Sequence, residues 1–466
     1  MTWNTGANRF ILVLAATLII LIPPTPEGLT QDGQRALAAF TFAGAIFALQ
    51  PVSLPFSSLM VSIALVFLGV ADTSQAFQAL SNPIIILILG SLFMAEALRK
   101  YGLTRRLAFN SIILSDGNVD LVLLGLMGIA AFLSMWMENT ATAAVLIPVA
   151  LTIANQVPDR PAAQELTTLL ILGIAYSASL GGMVTITGSA SNAVASGFLS
   201  QVTDWSFFDW MKYGFTAFIV VFPITWLLLS RMMNVSTKSL NIEIAREELK
   251  QMEHMDSKDW EILSVIILTA VLWIIGPSLS TTLGWNSKAL SPSIIAITAV
   301  AYLSLRDIIE WDDVKDVSWG MFFIIGAGLS LGDALSRTGA TQWLAGFIGP
   351  IITGGHPLTV ITFLVFSSAL LTNIINNTTV AAVFVPILIS LGDLNPALNA
   401  VQLVLPLTLA TTFGYALPSA SGRMALISAT GLVDRKQMIR YGMILTLVSS
   451  SILSTLFYLL TARGLI

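Results

Sequence analysis

The sequence predicts an all-α polytopic membrane protein, with about eleven transmembrane helices, two re-entrant helical hairpins and an inverted internal repeat. Three observations lead there. The 466 residues are 55% hydrophobic and 10% charged, with a mean hydropathy of +0.83. Soluble domains carry roughly 25% charged residues, so there is too little polar surface here to cover a water-soluble body. Apolar runs of about 17–20 residues recur along the whole length, each able to cross about 30 Å of hydrocarbon as a helix, whereas the alternating segments of a β-barrel are absent. Two further apolar stretches, 119–155 and 357–390, are each interrupted by a polar centre and then resume.

Taken in order, membrane helices are expected near 9–23, 35–50, 55–71, 82–99, 165–198, 213–231, 258–276, 290–305, 317–335, 399–430 and 441–462. The first run ends at Pro23-Pro24 and lacks an Ala-x-Ala cleavage pattern, so it reads as a retained helix. In the two interrupted stretches the polar centres are Glu138-Asn139-Thr140 and Asn376-Asn377-Thr378, and each second arm meets a proline, Pro148 or Pro386. This pattern suits hairpins that enter the bilayer and turn back, because polar backbone at that depth survives only where protein or a watery cavity covers it. The expected organisation is a first helix over 1–34, a repeat over 35–232, a polar cytoplasmic linker over 233–258 and a second repeat over 259–466. With the N-terminus cytoplasmic and both hairpins re-entrant, the outside receives Arg35, Lys212, Lys288, Arg337 and Arg463. The inside receives most of the other cations, among them Arg99, Lys100, Arg105, Arg106 and Lys315.

Several function classes are excluded. A net charge of −4 without a basic stretch does not suit nucleic acid. The absence of cysteine removes disulfides, thiolate metal sites and thiol nucleophiles. His254 and His356 lie in loops without a second ligand beside either. No His-Glu-x-x-His, Gly-x-Ser-x-Gly or paired intramembrane Asp pattern occurs, so the chain is not expected to be an enzyme.

The halves resemble each other in order. Glu138 to Pro148 lies over Asn376 to Pro386; Glu96-Ala97-Leu98 before Gly102 lies over Asp333-Ala334-Leu335 before Gly339. Ser189-Ala190-Ser191 matches Ser419-Ala420-Ser421, and Lys212-Tyr213-Gly214 lies over Arg440-Tyr441-Gly442. Each repeat holds an odd number of crossings, which turns the second copy upside down. Inverted repeats with broken helices at corresponding positions are the architecture of secondary transporters, with the site near the bilayer midplane.

Each half carries an Asn-Thr tip and, downstream, a run of small residues inside an apolar helix. These runs are Gly181-Gly182 with Gly188-Ser189-Ala190-Ser191-Asn192, and Pro418-Ser419-Ala420-Ser421-Gly422-Arg423. A broken helix frees carbonyls at one stub, which with Asn and Thr oxygens suit a hard monovalent cation. It frees N–H groups at the other, which suit an anion. Two half-sites then give two cation sites flanking one anion site. On a bland reading, the small residues serve only close helix packing.

These residues resemble the divalent anion/sodium symporter family of INDY-type dicarboxylate, citrate and sulfate carriers, whose signatures are a Ser-Asn-Thr tip on each hairpin and a Pro-Pro-Asn loop end in each half. The resemblance covers nearly the whole chain. It implies a first sodium site from Ser134, Glu138, Asn139 and the Gly188 carbonyl, and a second from Thr372, Asn377 and the carbonyls of Ile375 and Pro418. Substrate contacts would come from Asn139, Thr140, Asn377 and Thr378 with Ser189, Ala190, Ser419, Ala420 and Arg423. It also implies sodium-coupled uptake of small divalent anions across the cell inner membrane, C4-dicarboxylates first among them, by a homodimer with an elevator-like movement. The sequence departs from the family at Glu138 and Asn376, which replace the first tip serine, at the lost proline pairs, and at Arg423, where the family has asparagine. An ionised side chain at membrane depth costs several kcal/mol unless paired or solvated. Glu138 therefore stands as a sodium ligand, as a proton carrier that would change the coupling ion, or as an ion-pair partner of Arg423; Arg423 stands as that partner or as a direct anion ligand. A proton-coupled carrier, an anion exchanger and an inorganic oxyanion substrate remain alternatives.

Overall fold

The computed structural model describes residues 6–233, 235–252, 254–286, 288–315, 317–353, 355–394 and 398–466. Residues 1–5 of the expected first segment, and 234 and 253 of the expected linker, lie outside the described residues. The described chain is helical, with one isolated backbone bridge between Asn118 and Ser239. Among the described residues six helices are long and apolar enough to cross a membrane, seven if the pair Thr73–Ser81 and Pro83–Lys100, bent by 48°, is one span. Shorter apolar helices accompany them, such as Gly6–Leu21, Leu54–Phe67 and Pro292–Leu305. The protein is an all-helical polytopic membrane protein.

Arg160–Gly182 is buried along most of its length, whereas Phe207–Met232 and Ser257–Thr282 bury only a minority of their residues. Their exposed residues, including Phe215, Ile219, Ile267, Leu268 and Val271, are apolar, the inverse of a soluble surface and the composition lipid requires. One large apolar core runs through both halves. A smaller one joins Gly6–Leu21, Gln31–Leu49 and Leu54–Phe67 to Ala327, Leu331 and Leu335 of the helix Trp319–Arg337.

Helix starts follow local chemistry. Asn118, Asp159 and Asn399 accept backbone N–H groups at the starts of Val119–Ser134, Arg160–Gly182 and Ala400–Ala410, and Ser206 with Asp209 forms a capping box on Phe207–Met232. The two interrupted stretches each form two helices with a short turn between them: Val119–Ser134 with Asn139–Ala154, and Pro357–Ile374 with Asn377–Leu394. Two helices break. Arg160–Gly182 gives way to a run of turns and bends before Ala190–Val202. Ala400–Ala410 passes through the 3-10 turn Thr411–Phe413 and a second turn, Pro418–Ala420, before Gly422–Thr430.

Besides the short Thr73–Gln78 and Trp311–Val314, two helices of more than ten residues lie outside the sequence-based reading, Leu103–Leu114 and Ala340–Thr353. Each follows a left-handed glycine, Gly102 at φ 65° and Gly339 at φ 76°, which ends the preceding helix and redirects the chain. The linker forms a helix, Glu243–Gln251, tied to Leu103–Leu114 by Glu248 and Arg105 at 2.5 Å.

Candidate functional site

Breaking a helix inside an apolar core frees backbone carbonyls that water cannot reach, so each needs a donor from the protein. In the first break Asn192 Nδ2 donates to the carbonyls of Gly182 and Thr185, both at 2.8 Å, and Trp210 Nε1 donates to Met183 at 3.1 Å. In the second, Arg423 donates to Gly414 at 3.1 Å and to Thr412 at 3.4 Å, and Thr446 Oγ1 donates to Phe413 at 2.7 Å. Asn373 Oδ1 accepts the Ala416 N–H at 2.8 Å. The helix after each break approaches through a glycine: a Cβ on Gly214 would stand 2.5 Å from the Met183 carbonyl oxygen, and one on Gly442 2.5 Å from that of Tyr415. The breaks also touch one another, with Ser179 Oγ on Thr412 O at 2.6 Å, Thr411 Oγ1 beside Ser191 Oγ at 3.1 Å and the Tyr176 and Tyr415 rings 4.8 Å apart.

Both hairpin turns reach these breaks. Asn139 opens Asn139–Ala154, with Glu138 as its cap residue, and Asn377 opens Asn377–Leu394. Ser189 caps Ala190–Val202 and Ser421 caps Gly422–Thr430. These four helix starts surround one cavity of about 330 Å³, walled elsewhere by Leu54, Pro55, Ser318, Met321 and Ile324. Four helix N-termini, each the positive end of a helix dipole, therefore face the same space, with the Thr378 N–H taken by Asn376 Oδ1 at 2.9 Å.

Glu138, Asn139, Thr140, Gly188, Ser189, Ala190, Asn377, Thr378 and Arg423 line this cavity. Ser134 and Thr372 sit behind the tips, each donating its hydroxyl to the tip asparagine five residues on; the Thr372–Asn377 bond measures 2.7 Å. Ser419 and Ala420 do not line the wall; they lie in the turn just before it, and Ser421 and Gly422 take the wall positions instead. The literal Ser-Ala-Ser match hid this, because capping geometry sets Ser421, not Ser419, opposite Ser189. The sequence reading named Asn192 in its small-residue run without giving it a role, and missed Asn373; both are buried amides beside a helix break.

Oxygen clusters lie beside both tips. Near the first, Asn139 Oδ1 stands 3.0 Å from the Ala178 carbonyl and 3.2 Å from that of Gly188, with Ser134 Oγ beside it. Turned over, the amide nitrogen donates to all three. With its nitrogen inward the amide closes the cluster by hydrogen bonds; with its oxygen inward the same space holds oxygens that could ligate a cation. A Cβ on Gly182 would collide with the Asn139 side chain, so only glycine leaves this space. Near the second tip, Thr372 Oγ1 is shared between Asn377 Oδ1 and the Thr411 carbonyl at 3.1 Å. The Thr411 carbonyl, which the sequence reading did not single out, thus adds an oxygen beside Thr372 and Asn377. All these donors are neutral oxygens, the set suited to a hard monovalent cation.

Arg423 is 1% exposed, among the largest fully buried side chains, and its Nε has no partner. No ion pair joins it to Glu138, although both line the cavity. A buried guanidinium held only by carbonyls costs several kcal/mol.

The model of the sodium:sulfate symporter transmembrane region matches residues 4–461. An uncharacterised transporter of Haemophilus influenzae is 30% identical over 460 residues, covering 96% of this chain and 95% of that one. The sodium-dependent dicarboxylate transporter SdcS of Staphylococcus aureus is 26% identical over 476 residues, covering 97% and 91%. Among solved structures, Alcanivorax borkumensis YdaH aligns at a TM-score of 0.56 and 14% identity over 98% of both chains. Neisseria gonorrhoeae MtrF, of a class of antimetabolite efflux pumps, aligns at 0.56 and 11% over 98% and 96%. At those identities the likeness is one of fold. With its fold, its two hairpin turns at two broken helices and a match along nearly its whole length, the chain belongs to the sodium:sulfate symporter family and is a membrane transport protein, not an enzyme.

Proposed function

We propose that this protein is a sodium-coupled carrier that brings small divalent anions into the cell, C4-dicarboxylates foremost. The observation that carries this reading is the convergence of four helix N-termini and the buried, carboxylate-free Arg423 on one cavity. N–H dipoles and a guanidinium are complementary to carboxylate or sulfate oxygens. The apolar wall of Leu54, Pro55, Met321 and Ile324 suits the carbon chain between two carboxylates. The oxygen clusters at Asn139 and Asn377 supply the two sodium sites.

Coupling follows from shared atoms. Sodium drawn to the first cluster holds the Asn139 carbonyl inward and leaves the amide nitrogen and the first-turn N–H groups toward the cavity. The anion then completes a site that the cation has ordered, and each ligand raises the affinity of the other by the same factor. In this reading the two halves are inverted repeats. The protein acts as a homodimer in the cell inner membrane with a cytoplasmic N-terminus, and its hairpin domain moves between the two faces.

The name of SdcS supports dicarboxylate and sodium as the first pair to test. Glu138 on the cavity wall favours a second reading, in which a proton replaces sodium. A thermal-shift and proteoliposome-uptake series with succinate, citrate, 2-oxoglutarate and sulfate, with sodium and pH gradients imposed separately, separates them. Sodium-dependent stabilisation by succinate is expected; a response to pH alone favours the proton carrier, and no response to any anion refutes the transport reading.

A further inference from the structure

The two tips do not offer the same chemistry to the cavity. In the second, Asn376 Oδ1 accepts the Thr378 N–H at 2.9 Å, which leaves the amide nitrogen as a donor, and no partner takes the Thr378 hydroxyl. Arg423 adds an unpartnered Nε. In the first, the Thr140 hydroxyl donates its only hydrogen to Glu138 Oε1 at 2.6 Å. Thr140 therefore has no hydrogen left for a substrate carboxylate, and the group it presents is the Glu138 carboxylate. A Cβ on Gly422 would stand 2.6 Å from Thr140 Oγ1, which places this pair against the start of the helix that carries Arg423. Carboxylate and guanidinium thus share one cavity wall without pairing.

A plain dianion in such a cavity would meet the donors of Asn376, Thr378 and Arg423 but also the Glu138 carboxylate on the same wall, and like charges a few ångströms apart repel. A ligand carrying both signs avoids this conflict. We propose that Glu138 sets specificity, and that the preferred substrate is a small carboxylate that also carries an ammonium group, as an α-amino dicarboxylate does. Its carboxylates face Arg423, Asn376 and Thr378, and its ammonium faces the free oxygen of Glu138. This rests on the anion-site reading and narrows it, since an amino-substituted C4-dicarboxylate is still a C4-dicarboxylate. It also gives Glu138 a role that neither a sodium ligand nor an ion-pair partner of Arg423 would have.

The test compares matched pairs that differ only in the amine: L-aspartate with succinate, L-glutamate with glutarate, and β-alanine with propionate. Binding to the purified wild-type protein is followed by thermal shift in sodium. The amino member of at least one pair is expected to bind about tenfold tighter or more than its counterpart. Glu138→Ser, which restores the family's tip residue and frees the Thr140 hydroxyl, is expected to abolish or reverse that preference. Amine-free members that bind equally well or better in every pair overturn this inference while leaving anion transport standing. A protein that responds to no anion overturns both. The wild-type comparison stands even if Glu138→Ser does not fold.

Discussion

Asn139 and Asn377 each begin a helix, and each receives a hydroxyl from five residues upstream, Ser134 in one half and Thr372 in the other. On the proposed sodium sites, truncating either removes a cation ligand but no large apolar surface. Asn139→Ala and Asn377→Ala are each expected to lower apparent sodium affinity about ten- to a hundredfold, the effect of losing one charge-assisted interaction of roughly 1.5–3 kcal/mol. Sodium titrations of anion-induced thermal stabilisation check this; unchanged sodium dependence in both variants would remove the oxygen clusters from the account. The sequence alone singled out these residues because Asn-Thr flanked by small residues is improbable within an apolar run. It could not place Arg423 against Glu138. Both are costly at membrane depth, and an ion pair is the cheapest resolution from composition alone. The side chains instead find other partners, Thr140 for Glu138 and two carbonyls for Arg423.

Among the elements, those with a strong apolar signal were the most legible. The spans expected near 213–231, 258–276 and 441–462 correspond to Phe207–Met232, Ser257–Thr282 and Arg435–Ala462. Leu103–Leu114 escaped because Arg105, Arg106 and Asn110 break its apolar pattern, and Ala340–Thr353 because it follows so soon after a full span. The starts after the breaks were misjudged by one or two residues, since Ser-Ala-Ser spacing says nothing about which serine has the extended φ that caps a helix. Ser421 has it, at φ −165°. Outside the apolar elements, Lys100 at the end of Pro83–Lys100 clamps the loop before Trp319–Arg337 by donating to Asp313 at 2.6 Å and to the Ile308 carbonyl at 3.1 Å. Burial pushes the Asp313 carboxyl up, but Lys100 and the Glu310 N–H outweigh it and hold the group below its ordinary value. A carboxyl lower in the folded than in the unfolded state stabilises above about pH 4 and loses that contribution as pH falls further. The melting temperature of the wild type is therefore expected to fall more steeply than that of Asp313→Asn on acidification through that range. Parallel curves would show that the clamp contributes nothing.

At the scale of the molecule, symmetry is the organising idea. Two oppositely oriented copies would bring two tips and two breaks to one place, and the contacts are matched: Gly214 lies against Met183 and Gly442 against Tyr415, while Ser134 and Thr372 sit behind their asparagines. This could be anticipated because four short matches keep their order along the chain. The inward excess of Lys and Arg gives the proposed orientation. The shape of the cavity could not be anticipated, since its far wall comes from Leu54, Pro55 and the helix Trp319–Arg337, which carry no motif. The natural absence of cysteine allows the most direct test. Ser189→Cys and Ser421→Cys, made singly, place one thiol at each break on the wall of the same cavity. If the two breaks hold one anion together with sodium, the transported anion slows modification of both thiols by a charged thiol reagent, in sodium and not in potassium. Protection of one thiol without the other, or of neither by any anion in sodium, would contradict it.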